Sequence, residues 1–276
     1  MNSQEALEAI NKKVADFQQS DEYLKYLKFC SGFRNYSWNN RILIWMQNEN
    51  ASMCAGMKAW NEKGRKIKKG EKALKIYVPL IGKAYTTNEA GEKVEKLNSN
   101  GDSAKRIYGF KMANVFDISQ TEGEELPTLK IKNLEGKVEN FDDYIKLATK
   151  TLPEGYSFLI DDEEGHGEKG YTNFRLQQVV VHRNEEQQMF KTTMHELGHV
   201  LCEHDKRILD RDQEECEAES VAYIVCNHFG IDSSEYSMRY IGGWKGNKEL
   251  VNDSLKTIVN VADKIIDAIE GNEKGA

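Results

Sequence analysis

His195-Glu196-Leu197-Gly198-His199 decides how the rest of the chain is read. On a helix, histidines at i and i+4 stand one turn apart on the same face. Two imidazoles so placed can hold one Zn²⁺, and the glutamate between them can act as general base on a water activated there. The chain has 6 His and 30 Glu in 276 residues, so composition alone supplies on the order of 0.01 such pentapeptides. Met189, Phe190, Met194, Leu197, Val200 and Leu201 recur around the motif at helical spacing. Glu185 and Glu186 suit the positive end of a helix dipole. The plainer alternative is a helix bearing two unrelated surface or core histidines.

A third ligand is needed, because catalytic zinc keeps three protein ligands and one open position. The five cysteines (30, 54, 202, 216 and 226) form no Cys-x-x-Cys pair, which argues against a thiolate site. The obvious donors lie in Glu214–Tyr223, which reads as a second helix with Ala218, Val221, Ala222 and Val225 on its buried stripe. Glu215 and Glu219 border that stripe, where an unpaired carboxylate is costly, while Glu214 and Glu217 sit farther round. Glu215 is the expected ligand, with Glu219 orienting a histidine; the alternative exchanges their roles. His204 is a weaker candidate, since it follows His199 by five residues where the His-Glu-x-x-His-x-x-Gly-x-x-His pattern needs six and a Gly. His166, His182 and His228 read as ordinary surface or capping residues. Tyr171, His182 and Tyr223 are candidates for oxyanion stabilisation, and spacing selects none. A strand near 174–182 is expected to pair an extended peptide beside the metal.

Length and composition set the frame. At 276 residues the chain fits one large or two ordinary domains. With 39% apolar and 30% charged residues it can bury a core and stay well hydrated. No apolar run approaches the ~18 residues of a membrane span, and Met1–Ala6 shows neither basic start nor apolar stretch of a secretory signal. Cysteines without an evident pairing pattern fit a reducing cytoplasm. The net charge of −7 divides unevenly. Residues 1–120 carry 20 basic and 13 acidic residues, net +7, and the remainder carries 18 and 32, net −14. Opposite charge in the two halves suggests two modules with different partners.

The expected fold class is therefore α+β in two domains, a mixed α/β basic domain over 1–122 and a domain bearing the His195–His199 motif over 130–276. The acidic stretch Thr121–Pro127 is the expected break. Helices are expected over 4–30, Tyr36–Gln47, 141–150 and 247–270. Strand, basic turn and strand are expected over 58–80, a hairpin tip or loop over 86–104, and strands over 107–118, 156–160 and 174–182.

Two stretches of the basic half carry aromatics beside cations and amides. Phe33–Gln47 holds Tyr36, Trp38, Asn40 and Arg41, and Trp60–Lys72 holds Trp60, Lys63, Arg65, Lys66, Lys68 and Lys69. Single-stranded nucleic acid is bound this way, with bases on rings at about 1–3 kcal/mol each and cations along phosphates. Against this, aromatics at helical spacing are commonly core and a lysine-rich turn is commonly a solvated tip.

At these residues the chain resembles ArdC-type antirestriction proteins of plasmids and conjugative transposons. Tyr36-Ser37, Asn40, Leu43-Ile44, Gln47, Trp60, Gly64-Arg65, Lys68–Ala73 and Val115–Thr121 resemble their N-terminal single-stranded-DNA-binding domain. Thr193, His195–His199, Glu214-Glu215, Ala218-Glu219, Gly230-Ile231 and Tyr240-Ile241 with Trp244 resemble their zincin-like metallopeptidase domain. The resemblance covers most of 30–270 and is weak over 81–106 and 127–155. It implies a cytoplasmic protein that protects incoming single-stranded DNA during conjugation. Zn²⁺ would be held by His195, His199 and Glu215, with Glu196 as general base. The DNA contacts would come from Tyr36, Trp38, Asn40, Arg41, Trp60, Arg65, Lys66, Lys68 and Lys69. A host protein is a possible substrate, and no membrane partner is expected. Two other functions stay open: a non-enzymatic DNA shield whose zinc holds the fold, and a regulatory metalloprotease whose basic module binds a protein or duplex DNA.

Overall fold

The computed structural model describes residues 22–87, 91–98, 101–126, 140–162, 168–231, 233 and 248–271. The helical stripe expected over 4–20, the end of the acidic break after residue 126 and the Tyr240–Trp244 motif lie outside them. The N-terminal half opens with α1 (Glu22–Gly32) and α2 (Trp38–Gln47). There follow β1 (Cys54–Ala55), α3 (Met57–Glu62), β2 (Arg65–Ile67), β3 (Leu74–Lys83), β4 (Tyr85–Thr87), β5 (Lys93–Glu95), β6 (Lys105–Asp117) and β7 (Thr121–Gly123). The C-terminal half contains α4 (Phe141–Thr149), β8 (Ser157–Asp161), β9 (Gly170–Asn173), β10 (Gln178–His182), α5 (Glu186–Leu201), α6 (Arg211–His228) and α7 (Lys248–Glu270). The class is α+β, with helices packed against several small sheets.

The long pair β3–β6 is antiparallel, from Leu74 opposite Val115 to Lys83 opposite Lys105. The two-residue β1 pairs the other edge of β6. The start of the expected strand at 58–80 is instead the helix α3, which drives Trp60 into the core. The basic stretch Lys63–Lys69 turns at Gly64 and Gly70, whose φ of 71° and 91° favour glycine. The acidic break begins with β7, which pairs β2 from Arg65 opposite Gly123 to Ile67 opposite Thr121.

In the other half β10 is the central strand, parallel to β8 and antiparallel to β9. Val179, Val180 and Val181 are all buried, as in a strand covered on both faces. The peptide-pairing role expected of 174–182 does not fit this topology, because both ladders already occupy the backbone of β10. Among the described residues, the outer edge of β9 is unpaired in this sheet.

α5 and α6 cross closely. A Cβ at Gly198 would approach the Ala218 Cα to 3.0 Å, so the small residue inside the motif sets the helix spacing. The core is continuous between the halves. α1 packs on α6, and α2 packs against β3 and α7. Tyr23 and Ser220 share a hydrogen bond of 3.0 Å between their hydroxyls. Arg34 pairs with Asp267 and Glu270, and the fully buried Arg41 with Asp263, all three acids on α7. Part of the charge asymmetry read from the sequence is thus spent inside the molecule, basic N-terminal arginines against an acidic helix face.

Candidate metal centre

α5 buries Phe190, Met194 and Leu197 and turns His195 and His199 toward α6. The two Nε2 atoms face each other at 3.1 Å. Glu215 on α6 completes the group, with Oε2 3.4 Å from His195 Nε2 and Oε1 3.8 Å from His199 Nε2. One ligand atom from each of the three side chains lies within 4.8 Å of the others, so the set could hold one cation. The α6 start is fixed by a capping box, in which the Asp210 side chain accepts from the Gln213 amide at 2.9 Å.

Each histidine is held from behind at its other nitrogen. His195 Nδ1 lies 3.2 Å from Glu219 Oε2, and Lys191 Nζ donates to that same oxygen at 2.9 Å. His199 Nδ1 lies 2.8 Å from His204 Nδ1, and His204 Nε2 lies 3.2 Å from Glu217 Oε2. Glu217 is fully buried and receives Arg207 Nη1 at 2.5 Å, Arg207 Nη2 at 2.9 Å and the Ser254 hydroxyl. Burial opposes ionisation of Glu217, but these donors with His204 outweigh it and lower its pKa.

His204 reaches His199 through a reversal at the end of α5. The Glu203 amide donates to Val200 O at 3.1 Å and the His204 amide to His199 O at 3.3 Å. This is the paired bonding of a Schellman cap, with Glu203 at φ 56° where glycine is usual. Cys202, His204 and Glu217 also lie close enough to hold a cation. The Glu217 carboxylate is already occupied by Arg207 and Ser254, and burial, followed by the Glu217 charge, pushes the Cys202 thiol well above its usual range. This donor set therefore fits a supporting network better than a metal site.

Protonation follows the geometry. Burial disfavours a charge on His195, yet Glu215 and Glu219 overcome it and raise its pKa. Burial, then the neighbouring His195 and His204, lower the pKa of His199. Glu215 is lowered, first through its hydrogen bond with His195. Two facing Nε2 atoms at this distance have room for one proton between them, which a metal cation would replace. The Glu196 carboxylate is held by β9, its Oε2 accepting from Thr172 Oγ1 at 2.8 Å. Burial raises the Glu196 pKa, against the opposing pull of His195 and Thr172.

Thr172, Lys191, His204, Glu217, Arg207 and Ser254 are not singled out by the motif reading, apart from His204 as a weak ligand candidate and Glu217 as a residue set aside. His228 binds Ser31 O at 3.0 Å and Glu270 Oε1 at 2.7 Å, at the junction of the halves. Tyr223 packs in the core, whereas Tyr171 on β9 is exposed beside His182, ring centroids 6.1 Å apart. His166 lies outside the described residues.

The residues expected to meet DNA do not form one surface. Trp60 is fully buried and its indole donates to Phe116 O at 2.9 Å. Arg41 is fully buried and donates to Tyr36 O, Cys30 O and Arg34 O as well as to Asp263. Asn40 bonds both backbone groups of Tyr77, at 2.7 and 2.8 Å. Tyr36 donates to Cys54 O at 2.7 Å, and Trp38 packs partly buried on the core. Arg65 bonds Thr121, Gly123 and Glu124 and locks β2 to β7. Of the expected set, Lys66, Lys68 and Lys69 are exposed, with Lys68 donating to Ser119 O at 2.8 Å. Packing claimed the rings and guanidinium groups because so small a module needs them as core.

Residues 4–116 match the sequence profile of the N-terminal domain of anti-restriction factor ArdC. An uncharacterized protein of Bacillus anthracis, pXO2-81, is 30% identical over a 293-residue alignment that covers 94% of this chain and 49% of that protein. The chain thus spans about half the length of this curated relative. The metal-free crystal structure of the antirestriction ArdC protein from plasmid R388 aligns over 87% of both chains, with TM-score 0.52 and 19% identity. The Mn(II)-bound structure of that protein aligns over 86% of both, with TM-score 0.49 and 18% identity.

Proposed function

From the premise that the chain is ArdC-like, with the ArdC N-terminal domain over residues 4–116 and the fold of a crystallised ArdC protein, we propose that it is an antirestriction protein joining single-stranded-DNA binding to a metal-dependent peptidase centre. The observation that carries the catalytic half is the convergence of His195, His199 and Glu215 beside the Thr172-held carboxylate of Glu196. Two neutral imidazoles and one carboxylate suit Zn²⁺, and three ligands leave a position for chemistry. A divalent cation held by His195, His199 and Glu215 would supply Lewis acidity and lower the pKa of a water. Glu219 and His204 fix the ring planes of the two histidines. Glu196 takes the proton of the attacking water and returns it to the leaving amine. An extended substrate would lie along the outer edge of β9, which bears Thr172 and Tyr171.

The DNA half rests on the exposed Lys66, Lys68 and Lys69. A host protein is the proposed substrate and the cytoplasm the proposed compartment; no described helix is long and apolar enough to cross a membrane. The test combines metal analysis with one substitution. Purified protein should carry about one equivalent of divalent metal. Glu196→Gln should retain that metal and DNA affinity while losing protection against restriction. If the variant protects as well as wild type, the centre is not catalytic in that role and zinc serves only the fold.

A further inference from the structure

The β3–β6 pair leaves the core as a two-stranded ribbon. At its root Leu74, Ile76 and Val115 are buried. Farther out Leu80, Ile81, Ile107, Tyr108 and Phe110 are 43–58% exposed. Apolar surface of this kind on an edge ribbon is an aggregation hazard unless something binds it. The charge pattern says what. The two strands carry Lys75, Lys83, Lys105, Arg106 and Lys111 and no acid before Asp117. The acids of the connecting segment fall at Glu89, Glu92, Glu95 and Asp102, and Glu95 pairs with Lys83 at 3.0 Å.

The ribbon also presents its rings deliberately. Pairing runs Leu80 to Gly109 and then Ile81 to Ile107, so Tyr108 is the extra residue of a β-bulge. Its ring lies over Gly82, where an added Cβ would stand 2.9 Å from it, and its hydroxyl donates to Lys83 O. The Arg106 guanidinium sits 5.8 Å from that ring. Phe110 stands opposite Pro79 and edge-on to Tyr77, centroids 6.4 Å apart.

We propose that this ribbon is a single-stranded polynucleotide platform, with Tyr108 and Phe110 stacking bases and Arg106, Lys105 and Lys111 following the phosphates. It supplies the exposed rings that Trp60 and Tyr36 do not, and it rests on the single-strand reading above. Rings have no reason to favour one base, so recognition is of the strand and not of its sequence.

The experiment uses the full chain and fluorescently labelled oligo-dT, with anisotropy read across salt. Tyr108→Ala and Phe110→Ala should each weaken binding by about tenfold and leave the salt slope unchanged. Gly82→Val keeps every ring and cation but displaces the Tyr108 ring, and it should weaken binding similarly. Lys105→Gln should instead lower the slope by about 0.7. Unchanged thermal melts keep folding out of the comparison. If wild type binds and the ring variants match it, the platform is overturned while the single-strand reading stands. If wild type prefers duplex or binds nothing, both fall. Should the ring variants abolish self-association by sedimentation without altering DNA affinity, the ribbon is a contact between copies and the proposal fails.

Discussion

With His204 neutral, the protons along His199, His204 and Glu217 admit one arrangement. Glu217 is an anion, held so by Arg207 and Ser254, so His204 must donate to it from Nε2. His204 Nδ1 is then an acceptor, and His199 must donate from its own Nδ1 across 2.8 Å. That leaves His199 Nε2 with a bare lone pair facing His195 and Glu215, the state a metal ligand requires. Removing the acceptor should therefore be felt at the metal. His204→Phe keeps the ring volume and should weaken metal binding by about 10–100-fold. His204→Gln, whose carbonyl oxygen can accept from His199, should recover part of it. Competition with a chromophoric chelator measures both, and thermal melts of the metal-free proteins separate a ligand effect from misfolding. Equal metal affinity in all three proteins would show that His199 needs no such partner. A stoichiometry of two metals would instead favour the Cys202, His204 and Glu217 group as a second site.

At the scale of elements, Asp117 joins β1 to the end of β6. Its Oδ1 accepts from the Ser52 and Met53 amides at 2.7 and 3.0 Å, and its Oδ2 from Ser119 N at 2.9 Å and Oγ at 2.6 Å. Burial resists the charge, but these donors outweigh it and lower the pKa. A carboxyl with a folded pKa below its unfolded value of about 3.9 stabilises fully above that value. Its contribution is lost as pH falls through the folded pKa. Asp117→Asn should cost about 1–3 kcal/mol at pH 7, because one amide oxygen cannot satisfy every donor. The gap in urea midpoints should narrow as pH falls below about 3.9 and through the lower folded pKa; a gap independent of pH would deny the carboxylate this role. Local features of this kind differ in how far sequence exposes them. The His195–His199 spacing and the Glu215 face are properties of single helices, so periodicity sufficed. The approach of His204 turns on Glu203 in a left-handed conformation, and no glycine announces it. Trp60 and Arg41 were ambiguous for another reason. Helical spacing shows that a ring or guanidinium lies on a stripe, and only tertiary packing decides whether that stripe meets the core or the solvent.

At the scale of the molecule, charge and composition expose two halves but not their shared interior. The opposite net charges suggested different partners, whereas Arg34, Arg41, Asp263, Asp267 and Glu270 show the halves also serving each other. Arg41 decides how tightly they are coupled. Its guanidinium is fully buried and bonds three N-terminal carbonyls and one carboxylate of α7. Replacing it with Met keeps much of the volume and strands those acceptors, so Arg41→Met should cost about 3 kcal/mol. The loss should appear in both halves at once. In a Trp244→Phe background the remaining Trp38, Trp45 and Trp60 report the N-terminal half by fluorescence, and far-UV circular dichroism is weighted toward the long helices α5, α6 and α7. With Arg41 in place the two probes should trace one transition, as a continuous core requires. In Arg41→Met that single transition should move to lower denaturant with the probes still coincident. If fluorescence shifts alone and the helical signal unfolds where it did before, the halves are separate folding units and the arginine contacts merely bridge them.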